Sequence, residues 1–453
     1  MKYSVITFGC RVNQADSLRF EEELLATGAT PSPVEEADLV LVNSCSVTAT
    51  ADQGARQTIR RIARQNPGAR IIVTGCYATR APGELGHLPN VARVVRNDDK
   101  PQLIAILRDA GVVRSSGPSV SSVSSELVDA RIHADGFESD VTSAKRFGDG
   151  DGSCGATIEP GVAGRTAFTL RVQTGCAEPC AYCIIPTTRG EPRSVPLEIV
   201  VREVERVAAA GFKEIALTGV HLGSYGSDLA SRPSLVDLLT ALAHLSLPSH
   251  VRFRISSLEP NDCTSDVVKL VAASGCIASH LHLPLQHASN RVLAAMRRPY
   301  TIEQYAALVS DIRRRMPDAS IGSDIIVGFP GETDDDFEQL ASYLETSPLT
   351  HVHVFPYSDR PGTAASGMNG KVPGLVIRAR GRRAREISSR LAARFLDSQV
   401  GRVHRALTIE DGSLVVTGNY LKVRIPRRHA RNEWVFVKVT DVGETVRGDL
   451  VNG

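Results

Sequence analysis

Three cysteines fall within eight residues in the run Cys176-Ala-Glu-Pro-Cys180-Ala-Tyr-Cys183. The run follows a strand-like segment, so the thiols are expected on a loop at the carboxyl end of a strand, where α/β proteins place their chemistry. Three thiolates at this spacing can bind one metal centre. A 4Fe–4S cluster prefers four cysteines, so three would leave one iron open to an exogenous ligand. A zinc site would need a fourth ligand, and no second Cys-x-x-Cys or His pair follows nearby. Buried structural thiols are the other alternative.

Three further cysteines share a second context, because each follows a predicted strand by one or two residues. They close the runs VITFGC, LVLVNSC and IIVTGC and are Cys10, Cys45 and Cys76. The carboxyl ends of neighbouring strands in a doubly wound sheet converge on one crevice, so these thiols are predicted to form a second three-cysteine site. The alternative is three ordinary buried cysteines, although a core cysteine lies within a strand rather than after it.

The remaining cysteines and several histidines are assigned no site role. Cys154 lies in a segment rich in serine and glycine, whereas Cys263 and Cys276 flank a helical pattern that predicts packing positions. Solitary histidines near strand ends are more often structural than functional, and a ligand or acid–base role is the alternative. This interpretation covers His221, His282 and His287.

The composition is that of an ordinary globular chain with about two to four domains. Of the 453 residues, 42% are hydrophobic and 23% are charged. No apolar run approaches the ~18–20 residues that span a bilayer. The chain starts directly on a strand-like run without a signal-peptide pattern, which predicts a cytoplasmic protein with no membrane partner. Nine cysteines in such a chain do not indicate a disulfide framework.

The charge is balanced overall and basic towards the carboxyl terminus. The 52 basic and 50 acidic residues give a net charge of +2, which suggests no polyanionic partner by itself. Residues 377–395 nevertheless hold seven arginines against one acid, and residues 401–453 hold nine Lys or Arg against six Asp or Glu. Such a segment is compatible with nucleic acid binding, and solvated helix faces have a similar composition.

The amino-terminal elements must position Cys10, Cys45 and Cys76. Residues 1–111 alternate between strand and helix patterns, which predicts a doubly wound parallel sheet. Strands are expected at 3–8, 39–43, 71–74 and 91–95, and helices at 16–26 and 52–64. Residues 112–164 contain serine clusters and the run Gly-Asp-Gly-Asp-Gly, and they are interpreted as a linker or insertion.

The central elements must position the Cys176 loop. Residues 165–398 resume the alternation, with strands expected at 168–173, 214–218, 252–256, 280–285, 320–327 and 351–355. Six parallel strands with crossover helices, such as those expected at 197–210 and 305–315, predict an open, partial β/α barrel. One helix is expected over 376–396. Residues 399–453 then show strand patterns at 404–409, 414–417, 421–425 and 434–439, which predict a small β-barrel.

Stretches over nearly the whole chain resemble the methylthiotransferase branch of the radical S-adenosylmethionine (SAM) enzymes. The shared feature is Cys-x-x-x-Cys-x-x-Cys with an aromatic residue before its last cysteine, preceded by three spaced cysteines and followed by a small basic β-domain. The matching stretches are TFGCRVNQADS, NSCSVTATAD, VTGCYA, TGCAEPCAYCIIPTTRG, LTGVHLGSYG, RISSLEP, LHLPLQHASNRVLAAMRRPYT, DIIVGFPGET and FPYSDRPGTAA. The chain departs from the family in its long 112–164 segment with the additional Cys154.

The resemblance implies two 4Fe–4S clusters, each with an open iron, and S-adenosylmethionine as cofactor. Cys176, Cys180 and Cys183 would hold the cluster that reductively cleaves SAM to a radical, and the other three-cysteine set would hold an auxiliary cluster that carries or transfers sulfur. The implied reaction replaces the hydrogen at adenine C2 by a methylthio group. General acid–base catalysis, worth about 10²–10⁴-fold, does not readily break such a C–H bond, whereas cofactor radicals do.

Several residues near strand ends are implied to contact SAM. In similar proteins the aromatic at the position of Tyr182 lies by the adenine of SAM. Weaker candidates on the same face, for which ordinary loop structure is the alternative, are Thr218, Gly219, Ser257, Glu259, Gln286 and Gly328.

The motifs are most similar to the type that acts on N6-threonylcarbamoyladenosine at position 37 of tRNA. Isopentenyladenosine in tRNA and an aspartate of a ribosomal protein are the alternatives within the family, and a non-catalytic iron–sulfur RNA-binding protein is the alternative outside it. The implied partners are the anticodon loop of tRNA and an electron donor such as flavodoxin or ferredoxin. The sequence does not indicate the sulfur source.

The last domain resembles the TRAM module, an RNA-binding β-barrel. Phosphate contacts position an RNA without reading its sequence, and the basic residues expected to make them are Lys422, Arg424, Arg427, Arg428 and Arg431. Tyr420 or Trp434 could stack on a base, although Trp434 could equally belong to the core. A base in a single-stranded loop costs less to unstack.

Overall fold

The computed structural model describes residues 1–111, 166–426 and 429–452. The 112–164 segment with Cys154, and Arg427 and Arg428, lie outside the described residues. Within the described part of the chain, no helix combines the length and apolarity needed to cross a membrane.

The amino-terminal part is a five-stranded, all-parallel sheet with strand order β2-β1-β3-β4-β5. Its strands are β1 (Lys2–Thr7), β2 (Thr30–Pro31), β3 (Leu39–Ser44), β4 (Arg70–Gly75) and β5 (Val91–Val95). Its helices are α1 (Arg11–Ala26), α2 (Ala49–Gln65), α3 (Cys76–Arg80), α4 (Pro82–Gly86) and α5 (Leu103–Asp109). The predicted doubly wound sheet is confirmed, because apolar side chains cover both faces of a central strand, β3, that is buried along its whole length.

The central part is a partial barrel of six parallel strands. They are β6 (Phe168–Arg171), β9 (Glu214–Thr218), β10 (Arg252–Ile255), β11 (His280–His282), β12 (Ser320–Val327) and β13 (His351–Pro356). Two three-stranded sheets, β6-β9-β10 and β11-β12-β13, are joined by isolated bridges such as Ser257 to His282. A short antiparallel pair, β7 (Gln173–Thr174) and β8 (Arg193–Ser194), lies beside β6 in the chain. The predicted partial barrel is confirmed.

Helices connect the barrel strands. They are α6 (Ile185–Arg189), α7 (Leu197–Ala209), α8 (Leu235–Ala243), α9 (Ser265–Ala273), α10 (Asn290–Ala295), α11 (Ile302–Arg315), α12 (Asp334–Thr346) and α13 (Gly374–Gln399). Thr301 and Thr333 begin α11 and α12 with reciprocal capping boxes, which satisfy backbone donors at each helix start.

The arginines of α13 are largely engaged by its neighbour α12. Arg380 pairs with Glu332 and Asp334, Arg383 pairs with Glu338, and Arg390 pairs with Glu345. Three of the seven arginines in residues 377–395 therefore form ion pairs with acidic residues in or just before α12. Of the two interpretations given to this segment from sequence, the structure favours the solvated, salt-bridged helix face.

The carboxyl-terminal part is a closed barrel with strand order β14-β15-β16-β18-β17. Its strands are β14 (Val403–Ile409), β15 (Leu414–Thr417), β16 (Lys422–Arg424), β17 (Trp434–Val442) and β18 (Val446–Val451). Sequence analysis predicted four of the five strands and missed β18. The sequence of β18, VRGDLV, contains a glycine and two charges, so it lacks a continuous apolar run. Val415, Val423, Val437 and Val439 fill the interior.

Two compact units can be distinguished within the described residues. The first comprises Met1–Phe8, Asp16–Ser44 and residues 53–111. The second comprises Gly9–Ala15, Cys45–Asp52 and the described residues from 166 onward. The loops that carry Cys10 and Cys45 thus belong to the same unit as the partial barrel. The domain limits expected from sequence (1–111, 165–398 and 399–453) stay predictions.

Candidate active site at the strand ends of the partial barrel

The Cys176–Cys183 loop leaves the carboxyl end of the first barrel strand. Cys176, Cys180 and Cys183 are free, half-buried thiols. Backbone N–H groups of Glu178 and Ile185 donate to the sulfurs of Cys176 and Cys183 at 3.4 and 3.5 Å. Donors aimed at sulfur favour the thiolate form and are typical of iron–sulfur ligands.

Gln173 links the Cys176–Cys183 loop to the loop that follows β9 through hydrogen bonds, although sequence analysis did not identify this residue. Its buried side-chain amide donates to the carbonyl of Gly175 at 2.8 Å. Its Oε1 accepts from the backbone N–H groups of Val220 and His221, both at 2.9 Å. One side chain thus satisfies polar groups of two strand-end loops. A glutamine within an apolar strand pattern was the only sequence signal for this role.

Arg298 lies against the middle cysteine of the loop. Its Nη1 donates to the sulfur of Cys180 at 3.3 Å, and its other terminal nitrogen pairs with Glu259. Its Nε donates to the Tyr300 hydroxyl at 3.0 Å, and that hydroxyl contacts the carbonyls of Pro284 and Leu285. The arginine is only 7% exposed, so its charge acts on the thiol in a partly desolvated environment.

Burial and hydrogen bonds shift the pKa values of Cys180, Cys183 and the nearby His221 imidazole. Burial raises the pKa of Cys183 to about 12. It also raises the pKa of Cys180, against the opposing effect of Arg298. Burial lowers the pKa of His221, but hydrogen bonds with Asp262 and Cys176 outweigh that effect and raise it to about 10. Burial therefore favours the protonated form of Cys180 and Cys183 until a metal centre displaces their protons.

The spacing of these donors fits a cluster better than a single zinc ion. Sulfurs on one tetrahedral zinc lie about 3.8 Å apart, given Zn–S bonds of about 2.3 Å. Among the described residues, the one group of three or more potential ligands whose donor atoms all lie within 4.8 Å consists of histidines, not of these cysteines. The charge of Cys176 nevertheless raises the pKa of Cys180, and the charges of Cys180 and Cys176 raise the pKa of Cys183, so the three sulfurs lie near one another. A 4Fe–4S cluster with one open iron suits this donor set.

A cavity of about 170 Å³ adjoins the loop and brings several predicted residues together. Tyr182 and Cys183 line one side, and Gln286 and Asp324 line another. Gln286 adopts a left-handed backbone conformation at φ 65° and bridges Ile325. The cavity is also lined by Val47 and Thr48, which follow Cys45 closely in the chain. Residues from both cysteine regions thus border one pocket.

The five other predicted cofactor contacts occupy different environments. Thr218 is buried at the end of β9, and its hydroxyl has no hydrogen-bond partner among the described residues. Gly219 packs against Gln173 and Leu222. Ser257 lines a separate cavity, and Gly328, at φ +81°, packs against Ile377 and donates its N–H to Glu332 at 2.6 Å. Glu259 reaches the cysteine loop only through Arg298.

The three amino-terminal cysteines follow adjacent strand ends. Thr7 pairs with Asn43, and Ser44 pairs with Gly75, in the parallel sheet. Cys45 and Cys76 directly follow Ser44 and Gly75 and are buried, whereas Cys10 follows β1 by three residues and is exposed. Asn97 donates to the sulfur of Cys76 at 3.6 Å.

Gly9 allows the Cys10 loop to approach Cys45. A Cβ at this position would lie 2.6 Å from both the Cβ and the sulfur of Cys45, and its φ of +88° is unfavourable for residues with a side chain. The Cys10 loop therefore rests directly on the Cys45 side chain.

Two buried arginines anchor the loops that carry Cys10 and Cys45. Arg189, in α6, donates to Oδ1 of Asn13 at 2.5 Å. Arg360 donates to Ser46 at 2.8 Å and to Asp52 at 2.5 Å. Sequence analysis assigned neither arginine a role. Buried hydrogen bonds and ion pairs between segments far apart in sequence leave no local pattern that could have identified these arginines.

The residues predicted to bind RNA divide into two groups. Lys422 and Arg424 are exposed on β16. By contrast, Arg431 donates to Thr166 at 2.7 Å, Trp434 donates to the carbonyl of His250 at 3.1 Å, and Tyr420 packs 4.5 Å from the Arg254 guanidinium. Arg431, Trp434 and Tyr420 therefore hold the small barrel against β10 and against the residues that precede β6 and β10.

Comparison with known proteins agrees with a radical SAM fold. The sequence model of the radical SAM superfamily matches residues 170–344, and that of an uncharacterised protein family, UPF0004, matches residues 2–96. The fold is similar to the radical SAM methyltransferase TsrM from Kitasatospora setae, solved with cobalamin and a [4Fe-4S] cluster bound. That structure has a TM-score of 0.52 and 16% identity, over 80% of this chain and 73% of the other. The match to the superfamily model identifies a radical SAM enzyme, a class that uses SAM and 4Fe–4S clusters.

Curated relatives show to which family of radical SAM enzymes the chain belongs. A threonylcarbamoyladenosine tRNA methylthiotransferase MtaB from Aquifex aeolicus is 35% identical over 94% of this chain and 96% of its own length. A tRNA-2-methylthio-N(6)-dimethylallyladenosine synthase from Carboxydothermus hydrogenoformans is 33% identical over 89% of this chain and 87% of its own length. The chain belongs to the radical SAM methylthiotransferase family. The closed carboxyl-terminal barrel fits the TRAM domain that the resemblance implied.

Proposed function

We propose that this enzyme installs a methylthio group at C2 of N6-threonylcarbamoyladenosine at position 37 of tRNA. The observation that carries the proposal is the shared cavity, in which Val47 and Thr48, from the loop after Cys45, face Tyr182 and Cys183. A pocket bordered by both cysteine regions suits a reaction that needs a radical and a sulfur at one carbon. The Aquifex relative, named for threonylcarbamoyladenosine, supports the choice of base, and the second candidate is the dimethylallyladenosine named for the Carboxydothermus relative.

Cys176, Cys180 and Cys183 are proposed to hold the cluster that binds SAM. When it is bound and reduced, this cluster supplies the electron that cleaves SAM and so provides the radical that removes the C2 hydrogen. The chain's own contributions are positional and electrostatic. Gln173 holds the loop in place, Arg298 presents a positive charge to Cys180, and Tyr182 lines the cavity where SAM would lie.

Cys10, Cys45 and Cys76 are proposed to hold the auxiliary cluster. The in-register pairing of the strands that precede Cys45 and Cys76, and the contact of Gly9 with Cys45, support a common site. Arg189 and Arg360 hold the Cys10 and Cys45 loops in fixed positions, which a sulfur-delivering group requires if it is to meet the substrate in one geometry.

The carboxyl-terminal barrel, within residues 399–453, is proposed to bind tRNA through exposed Lys422 and Arg424. Residues 165–398 would form the catalytic domain and residues 1–111 the auxiliary-cluster domain. A one-electron carrier such as flavodoxin or ferredoxin is the proposed reductant. The cytoplasm, where tRNA is modified, is the proposed location.

The test uses the full chain, reconstituted anaerobically, and transcripts that carry either threonylcarbamoyladenosine or dimethylallyladenosine at position 37. Nucleoside mass spectrometry is expected to show methylthio product with the first transcript, and 5′-deoxyadenosine release should accompany it. Product only with the second transcript would overturn the choice of base. No product with either, despite 5′-deoxyadenosine release, would overturn the tRNA substrate.

Cysteine variants separate the two proposed sites. Cys180→Ser should lose about half of the roughly eight irons expected from two 4Fe–4S clusters, together with 5′-deoxyadenosine release. Cys45→Ser should lose a similar amount of iron but keep 5′-deoxyadenosine release while forming no methylthio product. Cys276→Ser, which changes a half-buried cysteine outside both sets, is the matched control and should keep iron and both products. Full iron in Cys45→Ser would overturn the auxiliary assignment.

A further inference from the structure

Three histidines meet on neighbouring strands of the partial barrel, outside the cysteine sites. His282 ends β11, His351 begins β13 and His353 follows two residues later on the same face. One nitrogen of each imidazole lies within 4.8 Å of the others, and no other set of three potential ligands among the described residues is as close. We propose that these histidines bind one divalent first-row transition-metal ion, with zinc as the probe.

The strand register explains how the histidines meet. In the parallel sheet, Gly322 of β12 pairs with His282 on one side and with His351 on the other. A Cβ at Gly322 would overlap the ring of His351 and lie 2.9 Å from Nδ1 of His282. The missing side chain of Gly322 therefore lets imidazoles from the two outer strands approach each other above the middle strand.

Hydrogen bonds orient two of the rings. Asp324 Oδ1 lies 3.0 Å from Nε2 of His282, and Thr350 Oγ1 lies 3.0 Å from Nδ1 of His351. The opposite nitrogens, Nδ1 of His282 and Nε2 of His351, are the atoms that border Gly322. Metal-binding histidines commonly have this arrangement, in which a carboxylate or hydroxyl fixes one ring nitrogen and leaves the other for the ion.

The surroundings suit an ion with an open coordination position. The three histidines line a cavity of about 520 Å³, separate from the one beside Cys183. Three imidazoles with one position left for water match the catalytic type of zinc site, and imidazole suits zinc, iron, nickel and copper. Arg11 also lines the cavity, so an oxyanion is the competing occupant, whereas Asp324 supplies the negative charge that favours a cation.

Simple packing does not account for the arrangement. The ring centroids are 5.5–6.3 Å apart, and His353 is exposed. Apolar side chains would fill such a space without the cost of placing three polar rings together. The proposal does not depend on the proposed function, because it rests on the three histidines and their hydrogen-bond partners and on no cysteine.

The test measures metal content in the holoenzyme. Full-chain protein with both clusters reconstituted is incubated with zinc, freed of excess by gel filtration, and analysed for zinc and iron by mass spectrometry. One tightly held zinc per chain is expected. Zinc-edge X-ray absorption should show only nitrogen or oxygen neighbours at about 2.0–2.1 Å. A sulfur neighbour at about 2.3 Å would place the zinc on cysteine and overturn the proposal.

Variants locate the ion. His282→Gln and His353→Gln should each lose the zinc while iron content and the circular dichroism spectrum are retained. Gly322→Ala should lose it too, because its methyl group would separate the rings. Asp324→Asn should weaken binding about 10–100-fold. His244→Gln, at an exposed histidine after α8, is the matched control and should keep the zinc. Retention of zinc in the first two variants, or binding of sulfate but not zinc by the parent protein, would overturn the proposal.

Discussion

Arg298 illustrates how single residues prepare the site for a charged cofactor. Its guanidinium joins Cys180, Glu259 and Tyr300 in a largely buried network. A thiolate-bound cluster gains negative charge when it is reduced, so a nearby cation that donates to sulfur stabilises the reduced form more than the oxidised form. Glu259 in turn keeps the buried cation paired.

Arg298→Gln should make the cluster proposed for the Cys176–Cys183 loop harder to reduce. A hydrogen bond to a charged group is worth about 1.5–3 kcal/mol, and for a one-electron couple 59 mV corresponds to a tenfold change. Since only part of that energy differs between the redox states, we expect a potential about 50–100 mV more negative. Redox titration followed by electron paramagnetic resonance would measure it. Arg297→Gln, at the exposed neighbour, removes the same charge, and an equal shift in both variants would contradict the role of the contact.

His287 should make the fold sensitive to mild acid. It is fully buried and accepts a hydrogen bond from Ser289 N at 3.0 Å, and burial lowers its pKa from 6.5 to about 4. Because the folded-state pKa is depressed, the unfolded chain binds more protons between these values, and stability falls as the pH drops. Between roughly pH 7.5 and 5 the expected loss is about 2 kcal/mol.

His287→Asn keeps an acceptor for Ser289 and should abolish this part of the pH dependence. Denaturant unfolding at several pH values would measure it. His244→Asn is the control, and an unchanged acid sensitivity in His287→Asn would contradict the prediction.

At the residue scale, the sequence singles out the cysteines because each lies in a short local pattern, and their role as cluster ligands stays a prediction. The supporting polar residues could not. Gln173, Arg189 and Arg360 act through partners 47, 176 and up to 314 positions away, so nothing in their own surroundings marks them. His282 was interpreted as structural for the same reason, since its neighbours His351 and His353 come from another strand.

At the scale of elements, a buried ion network joins the small barrel to the partial barrel. Glu214 of β9 pairs with Arg252 and Arg254 of β10. These arginines also donate to the carbonyls of Val416 and Thr417 in β15, at 2.9 and 3.2 Å. Burial raises the pKa of Glu214, but the two arginines outweigh that effect and the pKa is lowered. The strand ends opposite the cysteine loop therefore serve as a docking surface.

Arg254→Met should destabilise this docking. Removing Arg254 leaves Glu214 paired with Arg252 but takes the donor from the carbonyls of Thr417 and Gly418, and each buried acceptor left unsatisfied costs about 1–3 kcal/mol. Trp434, the only tryptophan, packs 4.9 Å from the Arg252 guanidinium at this junction, so its fluorescence during denaturant unfolding reports undocking. Arg202→Met, at an exposed arginine of α7, should leave the transition in place. Adding Glu214→Gln to Arg254→Met should destabilise the protein further, because it leaves buried Arg252 without its carboxylate partner, and a recovery of stability would contradict the explanation.

Elements with strong periodicity were predicted well, and those without it were not. The limits of β9, β12 and β15 agree with the sequence patterns, since β9 and β15 are largely apolar runs and β12 ends in one. The short β2 and the charged β18 lack such a pattern and form because neighbouring strands offer them backbone partners. These two segments form strands because they pair with neighbouring strands, and not because their own sequences prefer the extended conformation.

At the scale of the whole molecule, the sum of charges hides where free positive charge lies. The chain is nearly neutral, with 52 basic and 50 acidic residues. In the most basic segment, α13, three arginines form ion pairs with acidic side chains, namely Arg380, Arg383 and Arg390. Sequence composition could find this segment but could not show that α12 neutralises much of it. The exposed Lys422 and Arg424 of β16 are fewer but are available to phosphate.

The salt dependence of tRNA binding should distinguish these two basic regions. Each phosphate contact that is lost lowers the slope of log K against log salt by about 0.7–0.9. Lys422→Ala combined with Arg424→Ala should therefore reduce the slope by about 1.4–1.8, as measured by fluorescence anisotropy with labelled tRNA at several potassium chloride concentrations. Arg383→Ala combined with Arg390→Ala removes the same charge from α13 and should leave the slope unchanged, because those side chains already bind carboxylates. A larger change for the α13 pair would place the RNA on that helix instead and would remove the main support for the small barrel as the tRNA-binding surface.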